Sequence, residues 1–225
     1  MMNALKMFKY LSRIHMLSLL SMGTIRVGTL HDFRRLEHQR GIADPQEGKK
    51  VVLHPIDHLY IEDSKSQNIK NDIDFRAIKE FGAISIGNVK DITINNLNFS
   101  KSLNVRDCFI LCTSKICSKE TMLQFGGVDS CVEIVEIDSF HKLLTETLNS
   151  ITPVFFVGIY EIIYQDREEK WNGRDWGRHP ALIKETKFVK EGEIRALWQP
   201  RSNKPISPIN LGNYRLTAFC REVTI

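Results

Sequence analysis

Residues 191–198, EGEIRALW, carry two carboxylates two residues apart and then become mostly apolar. This alternation predicts a β-strand, in which successive side chains point to opposite faces. The charged residues then share one face: Glu191, Glu193 and Arg195. The apolar residues share the other: Ile194, Ala196 and Trp198. We expect the apolar face to pack in a core, and the charged face to meet water, an ion-pair network or a cleft.

The composition around this stretch is that of a globular protein. The chain has 225 residues, of which 42% are hydrophobic and 26% are charged. It therefore has enough apolar material for a sizeable core, in one large domain or two small ones. The net charge of +4 tilts mildly towards anionic partners such as nucleic acid or nucleotides, and it is too small to select a function.

The N-terminal region gives no signal for secretion or membrane insertion. Residues 1–23 are interrupted by Lys6, Lys9, Arg13 and His15, and they contain no continuous apolar core of a signal peptide. No run approaches the roughly 20 apolar residues that a membrane-spanning helix needs. We therefore expect a cytoplasmic protein with no membrane partner, and the sequence leaves its oligomeric state open.

The cysteines and the known catalytic motifs narrow the chemistry. The cysteines are odd in number: Cys108, Cys112, Cys117, Cys131 and Cys220. Without a secretory signal, they are interpreted as free thiols, mostly buried. Cys112 and Cys117 are too widely spaced for a zinc knuckle, and no metal is expected. GxSxG, Walker and GxGxxG patterns are missing, which argues against a hydrolase elbow, a P-loop enzyme and a Rossmann fold.

Apolar periodicity predicts a strand-rich α+β protein. Predicted strands cover residues 7–11, 24–30, 107–114, 131–137, 154–164, 191–198 and 214–225. Predicted helices cover residues 13–22, 118–126 and 138–150, the last capped by Asp138. We expect a single domain over residues 1–225, with two packed, mostly antiparallel sheets and a few flanking helices.

The N-terminal segment is predicted to be strand, helix, glycine and strand, and it holds one candidate ligand residue. One packing face is expected on the helix: Ile14, Leu17 and Leu20 or Ser21. Gly23 ends the helix. Tyr10 lies where the first strand turns into the helix, and free backbone N–H groups make such places common ligand sites. From the residues alone, a rim position with a wet hydroxyl is the preferred interpretation of Tyr10.

Several motifs resemble, in order, an uncharacterised bacterial domain family of unassigned function. The matching pieces are FKYLS, TIRVGTLHDF, ADPQEG, FILCTSK, MLQFGG and KETKFVKEGEIRAL. They span most of the chain, from a first strand through an Asp-Pro…Glu turn to a final segment with paired glutamates. The Asp44 and Glu47 positions in ADPQEG are first of all a turn signature, with a place at a cleft rim as the alternative.

The segments YLS, LLSMG and TIRVG are similar to the first motif of the histidine-tyrosine-glutamate branch of the ADP-ribosyltransferases. That family carries a catalytic glutamate on a late strand, often as Glu-X-Glu, and Glu191-Gly192-Glu193 is the counterpart here. This chain differs in having Tyr10 in place of the histidine and GTLHDFR in place of the middle Y-x-G-x-x-Y motif. The resemblance implies a split-sandwich fold that uses NAD as its substrate.

On this resemblance, Glu193 and Glu191 are the candidate catalytic residues. Breaking the nicotinamide–ribose bond passes through an oxocarbenium-like state, which a carboxylate on the ribose 2′-hydroxyl stabilises. We assign that role to Glu193, and we assign to Glu191 the orientation or deprotonation of the acceptor. The alternative is a surface ladder in which Glu193 simply pairs with Arg195 or Lys187.

Four further residues are predicted to line the NAD site: Tyr10, Arg26, Phe33 and Arg34. An arginine fork can bond two oxygens of a pyrophosphate at once, and Phe33 can stack on nicotinamide. By analogy with the family, the loop WNGRDWGRHP, residues 171–180, is predicted to recognise the target through Trp171, Arg174, Trp176 and Arg178. The alternative is a loop whose tryptophans fold back on the sheet.

Together these expectations predict an ADP-ribosyltransferase or an NAD glycohydrolase. Its partners would be NAD and a macromolecular acceptor, either protein or nucleic acid, and such an activity fits a toxin or defence effector. The alternative from another class is a non-catalytic module that uses the basic aromatic loop to bind nucleic acid or protein. Convergence of Glu193, Tyr10 and Arg26 on one pocket would favour the enzyme.

Overall fold

The computed structural model describes residues 5–35 and 43–225. The α-helices in this part of the chain are α1 (Arg13–Met22), α2 (Gln67–Asn71), α3 (Ile73–Phe81), α4 (Lys119–Met122) and α5 (Ile137–Asn149). The strands are β1 (Met7–Leu11), β2 (Thr24–Thr29), β3 (Lys49–Asp63), β4 (Lys90–Asn104), β5 (Phe109–Ser114), β6 (Ser130–Ile134), β7 (Val154–Glu161), β8 (Ile163–Tyr164), β9 (Glu168–Lys170), β10 (Ile183–Lys184), β11 (Glu193–Pro200), β12 (Ile209–Gly212) and β13 (Cys220–Val223). Short 3-10 turns cover Asp32–Arg34, Pro180–Leu182, Thr186–Glu191 and Tyr214–Phe219.

The predicted α+β class with mostly antiparallel sheets is confirmed. Contacts group the chain into two compact units. The first unit contains the described parts of Met1–Gly48 with Val105–Gln165 and Ala181–Ile225, and the second contains Lys49–Asn104 and Asp166–Pro180. A single domain over residues 1–225 stays a prediction.

The first unit is built around β5, which reads FILCTS and is buried on both faces. A strand without a solvent face is nearly continuous in apolar residues, as β5 is. The sheet runs in the order β12, β2, β5, β1, β6, β13, with β11 pairing β5 and β7 pairing β11. The alternation of β11 buries Ile194, Ala196 and Trp198 in the main core, as the sequence predicts.

One edge of β5 has different neighbours at its two ends. Ile110, near the start of β5, pairs with Gly28 of β2, and Ser114, at its end, pairs with Phe8 of β1. The opposite edge pairs with β11 along the whole strand. Between the two points, at residues 111–113, the described pairings of β5 are with β11 alone. We call this opening between β1 and β2 the strand gap.

The core of the first unit uses a different face of α1 from the one predicted. Met16 and Leu19 are buried, whereas Ile14 is 71% exposed and Leu17 is 51% exposed. The predicted packing set is therefore wrong in these two members. Apolar residues lie around most of α1, so periodicity alone could not choose the inward face. At the end of the helix, Gly23 approaches the backbone of Asn213 too closely for a side chain, so this contact requires glycine.

The second unit is a long hairpin with helices packed on it. β3 and β4 pair antiparallel from Lys49–Asn104 to Asp63–Lys90, and β9 adds a short parallel strand to β3. Its core includes Val52, Ile56, Ile61, Ala77, Ile78, Phe99 and Trp171. The tertiary contacts of this unit thus come mainly from one face of the hairpin.

Several local predictions are corrected by the structure. Glu191 ends a 3-10 turn, so the strand begins two residues later than expected, at Glu193. α5 begins at Ile137 with Asp138 inside its first turn, so Asp138 is not the cap. Residues 214–219 form a 3-10 turn before the short strand β13. Cys117 is exposed, so the interpretation as a buried thiol is wrong for this cysteine.

Candidate functional site

A cavity of about 690 Å³ lies at the strand gap of the first unit. Its walls come from β1, β2, β5 and β11, from residues 125–128 after α4, and from Lys184 of β10. This volume falls within the range of small-molecule and cofactor sites. Five residues predicted for catalysis and NAD binding line it together: Tyr10, Arg26, Phe33, Glu191 and Glu193. The sixth, Arg34, is not among the lining residues.

Glu193 enters the cavity at the first position of β11, opposite Ser114 at the end of β5. The preceding Gly192 has φ +52°, which lets the chain leave the 3-10 turn and join the sheet at once. The Glu193 backbone N–H donates to the Tyr164 hydroxyl at 2.7 Å. Both glutamates are buried, with Glu191 2% and Glu193 6% exposed.

Arg195 holds Glu193 from the neighbouring position on the same face. Its Nε donates to Glu193 Oε1 at 2.6 Å. Its two terminal nitrogens each donate to an oxygen of Glu47 at 2.8 Å, which is a bidentate pair. Arg195 also donates to the carbonyl of Ala181 at 2.6 Å. The guanidinium is therefore fully engaged and fixes the orientation of Glu193.

Lys184 joins the two glutamates. Its Nζ lies 2.5 Å from Glu191 Oε2 and 3.0 Å from Glu193 Oε2. Glu191 ends a 3-10 turn and Glu193 begins β11, yet both side chains reach the same ammonium group. The turn of the chain at Gly192, between them, makes this shared contact possible. The result is a buried network of alternating charge: Glu47, Arg195, Glu193, Lys184 and Glu191.

The two glutamates titrate differently in this network. Burial acts to raise the pKa of Glu193, but Arg195 and Lys184 outweigh it and hold this pKa far below its usual range. Burial raises the pKa of Glu191 to about 7, with Lys184 opposing and the Glu193 charge adding to the rise. At neutral pH, one carboxylate of this pair is thus firmly ionised and the other exchanges a proton.

The alternative of a surface ladder, in which Glu193 pairs with Arg195 or Lys187, is confirmed for Arg195 and wrong for Lys187. Glu193 does pair with Arg195, but Lys187 pairs with Glu185 at 2.5 Å. The ladder is also not a surface feature, since Arg195 is 1% exposed. Its members border a cavity, so an ion pair and a ligand site coincide at Glu193.

The predicted arginines differ in their positions. Arg26 on β2 lines the cavity, and its guanidinium pairs with Asp32 at 2.6 Å. Arg34 instead donates from Nε to the backbone carbonyl of Glu47 at 2.7 Å, so its described contact supports the turn that carries Glu47. Phe33 lies against β2 at Gly28, where a Cβ would come within 3.0 Å of the phenyl ring.

Tyr10 lines the cavity with its ring rather than with a free hydroxyl. The ring stacks on Phe125 with centroids 5.6 Å apart. The hydroxyl donates to the Ile116 carbonyl at 2.7 Å and accepts from the Ser118 N–H at 3.0 Å. Tyr10 is 8% exposed, so the predicted wet hydroxyl is wrong. The single proton of the hydroxyl is thus used, so donation of a hydrogen bond to a ligand would require the contact with the Ile116 carbonyl to break.

The predicted target-binding residues belong to the second unit. Trp171 is buried in its core, and Trp176 packs edge-on against Phe81 at 5.1 Å. This favours the alternative in which the tryptophans fold back on the sheet. Arg174 and Arg178 are exposed. Of the four residues, these two are available to a partner.

Two residues that border the cavity, Lys9 and Lys184, were not predicted from the sequence. The alternative of a cleft-rim position fits Glu47, which lines the cavity, but the pairing of Glu47 with Arg195 was not predicted. Glu47 and Arg195 are 148 positions apart in the chain. Lys184 lies on a two-residue strand with no periodic pattern. The sequence signal for this network was the presence of basic and acidic residues near a Glu-X-Glu pair. Such a signal does not indicate which of these residues bind each other.

Within the described residues, no group of three or more His, Cys, Asp or Glu side chains is arranged to bind a metal ion. In the same part of the chain, no helix is both long and apolar enough to cross a membrane. Comparisons with protein-family models, with curated proteins and with solved structures find no match for this chain.

Proposed function

We propose that this protein cleaves the nicotinamide–ribose bond of NAD in the cavity of the first unit, as an ADP-ribosyltransferase or an NAD glycohydrolase. The observation that carries the proposal is a firmly ionised, immobilised carboxylate, Glu193, at the wall of a cofactor-sized cavity. The bond breaks with positive charge growing on the ribose, and a fixed negative charge stabilises that state.

Glu193 keeps room for a ligand in spite of its ion pairs. A carboxylate has about four acceptor positions on its two oxygens. Three hydrogen bonds from Arg195 and Lys184 reach Glu193, with one of them on Oε1. The Cys112 thiol also interacts with this carboxylate, and a thiol is a weak donor that a ribose hydroxyl can replace. The ribose 2′-hydroxyl would therefore bind at Oε1.

Glu191 supplies the second function. A general base works best when its pKa is near the working pH, and the pKa of Glu191 is about 7. It would accept the proton of the attacking hydroxyl, which is water in hydrolysis or a side chain or nucleotide in transfer. Lys184 contacts both glutamates. The charge of Glu191 changes when it accepts the proton, and Lys184 would transmit part of this change to Glu193. Proton transfer at Glu191 and charge stabilisation at Glu193 would therefore be coupled.

The strand gap supports the split-sandwich interpretation of the fold. In a continuous sheet, one strand would hydrogen-bond along the whole of this edge of β5, whereas here β1 and β2 pair only with its two ends and leave residues 111–113 uncovered on that side. Tyr10 and Phe33, from opposite sides of the gap, contribute aromatic surface for the nicotinamide or adenine ring.

A second candidate is a non-catalytic nucleotide-binding protein. It is favoured by the two cations that neutralise Glu193, because a neutralised carboxylate stabilises a growing cation less than a free one. This protein would bind NAD in the same cavity and release no nicotinamide. The two candidates therefore differ in one measurable product.

The test is to incubate the purified protein with NAD, with and without cell extract, and to measure nicotinamide release and ADP-ribosylated material. We expect Glu193→Gln to lower nicotinamide release by on the order of a hundredfold or more, since the charge is lost while the shape is kept. Turnover like that of the parent would show that Glu193 is structural.

The control is Glu47→Gln, which disturbs the same guanidinium of Arg195 from its other side. Losing one partner of a buried pair costs on the order of a few kcal/mol in either variant, so both should lose stability. Only Glu193→Gln should lose most of its nicotinamide release. Equal losses of nicotinamide release in both variants would mean that release depends on the intact network rather than on the charge of Glu193 itself.

A further inference from the structure

Lys9 is a cation of the cavity that lacks an acidic partner in the described part of the chain. Its side chain, on β1, lines the cavity and is partly buried. Its one described hydrogen bond goes from Nζ to the carbonyl oxygen of Cys112, at 2.7 Å. No described carboxylate lies within 4.0 Å of its ammonium group.

The other cations at the cavity are all paired. Arg26 contacts Asp32 at 2.6 Å. Lys184 contacts Glu191 and Glu193, and Arg195 contacts Glu193 and Glu47. An ammonium group partly withdrawn from water is more stable beside a counter-charge, so Lys9 stands out as a group that an anionic ligand would neutralise.

The position of Lys9 is fixed by the strand gap. On one side, its backbone pairs with Val132 of β6. On the other, its ammonium reaches across the gap to the Cys112 carbonyl, in the part of β5 that neither β1 nor β2 covers. A ligand that fills the gap would therefore meet Lys9 directly.

Donors nearby suit a group with several acceptor oxygens. Ser12 and His15 also line the cavity, and their side chains hydrogen-bond each other at 2.9 Å. α1 begins beside them, and its N-terminus has no side-chain cap. Arg26 completes the set from β2. A phosphate accepts hydrogen bonds from several directions at once, which a carboxylate does less well.

We propose that Lys9 binds the diphosphate of the nucleotide at the strand gap and so selects phosphorylated ligands over nucleosides. This proposal rests on the proposed function, since NAD is the ligand considered. Lys9 takes the place of Arg34 as the second cation, beside Arg26, that binds the diphosphate. Burial lowers the pKa of Lys9, an effect that Cys112 and Glu193 partly oppose. An anionic ligand would act in the same direction as those two groups and favour the charged ammonium.

The experiment measures the affinity of adenosine, AMP and ADP-ribose by calorimetry, because none of these ligands is cleaved. Lys9→Met removes the charge and keeps the length of the side chain, and Lys9→Arg keeps the charge. We expect Lys9→Met to weaken ADP-ribose binding by tenfold or more and to leave adenosine binding unchanged. Lys9→Arg should recover part of the lost affinity.

Lys6→Met is the matched control, since Lys6 is exposed three residues earlier. It should bind all three ligands like the parent. Thermal unfolding of Lys9→Met, with and without ADP-ribose, separates a loss of binding from a loss of folding. If the variant does not fold, Lys9→Arg decides, because a charge role predicts preference for ADP-ribose over adenosine in that variant.

The outcomes separate this inference from the proposed function. ADP-ribose bound equally by the parent and by Lys9→Met overturns the role of Lys9 and leaves the proposed function standing. Lys9-dependent binding of ADP-ribose without nicotinamide release from NAD overturns the catalytic proposal and supports the role of Lys9. Absence of ADP-ribose binding by the parent overturns the role of Lys9, and nicotinamide release from NAD then decides the proposed function independently.

Discussion

At the scale of single residues, the main feature of the cavity is that two nearby glutamates, Glu191 and Glu193, have very different pKa values. Glu193 contacts two cations, whereas the described cation contact of Glu191 is with Lys184 alone. Burial is similar for both, so the number of cationic partners decides which one stays ionised. This separates a fixed charge from an exchangeable proton within three residues of chain.

The raised pKa of Glu191 predicts a pH-dependent stability. The folded protein holds this proton up to about pH 7, whereas an unfolded glutamate releases it near pH 4.5. The contribution of Glu191 is therefore fully present below about pH 4.5 and is lost as the pH rises through 7. We expect the free energy of unfolding of the parent to fall, relative to Glu191→Gln, by about 2–3 kcal/mol between pH 5 and pH 8.5.

Urea unfolding of both proteins at several pH values checks this prediction. Glu120→Gln is the control, because Glu120 forms an exposed ion pair with Lys190. An exposed pair contributes on the order of 1 kcal/mol or less, so this control should follow the parent at every pH. A constant difference between the parent and Glu191→Gln would show that Glu191 is ionised throughout this range.

At the scale of elements, the junction between the 3-10 turn Thr186–Glu191 and β11 sets the geometry of the site. Gly192 adopts a left-handed conformation there, with φ +52°. A Cβ at this position would lie 2.6 Å from Ile116 Cδ1. Gly192 thus meets a backbone requirement and also leaves room for the Ile116 side chain. The turn that it makes brings Glu191 and Glu193 to Lys184.

Gly192→Ala should therefore cost more stability than a substitution that meets the backbone requirement alone. Gly82 is the matched control, because it has φ +65° at the end of α3 and nothing within 4 Å of an added Cβ. We expect Gly82→Ala to cost about 1–2 kcal/mol and Gly192→Ala about 1 kcal/mol more. Equal free energies of unfolding, measured in urea, would mean that Ile116 moves aside without cost.

At the scale of the whole molecule, exposed charged side chains and buried ones contribute differently to the binding of a partner. The net charge is only +4. Much of the charge near the cavity is neutralised inside the network around Arg195. Exposed arginines such as Arg174 and Arg178 therefore matter more for a macromolecular partner than the total does.

We expect Arg174→Ala combined with Arg178→Ala to weaken binding of a single-stranded oligonucleotide, measured by fluorescence anisotropy. Each lost phosphate contact should reduce the slope of log affinity against log salt by about 0.7. Trp176 is left intact, because it packs against Phe81. Nicotinamide release should not change.

The control for this prediction removes the same charge elsewhere in the second unit, with Lys70→Ala and Lys79→Ala. Both lysines are exposed, and either double variant lowers the net charge from +4 to +2, which is 4 minus 2. The control should bind the oligonucleotide more tightly than the arginine variant. Equal weakening would point to general charge, and no binding by the parent would exclude nucleic acid as the acceptor recognised by this loop.

Much of the local structure follows from the sequence. Residues 7–11 and 13–22 are a strand and a helix with the predicted bounds, and Gly23 ends the helix in the left-handed conformation. The predicted faces of β11 are also observed from Glu193 onwards, with Ile194, Ala196 and Trp198 in the core and Glu193 paired with Arg195 on the other face. These features depend on hydrogen bonds and side-chain periods that lie within a few residues of chain, so the sequence contains them directly.

The inward face of α1, the burial of Trp171 and the partners of Glu193 were decided only by the tertiary structure. Periodicity states which residues share a face, but it does not state what that face meets. Glu47 reaches Arg195 across 148 positions, and Lys184 reaches both glutamates only because Gly192 turns the chain between them. The sequence by itself determined that charge would be concentrated at residues 191–195, and the packing of distant segments turned that charge into a buried network beside a cavity, because a buried charge is stable only where the fold brings an opposite charge to it.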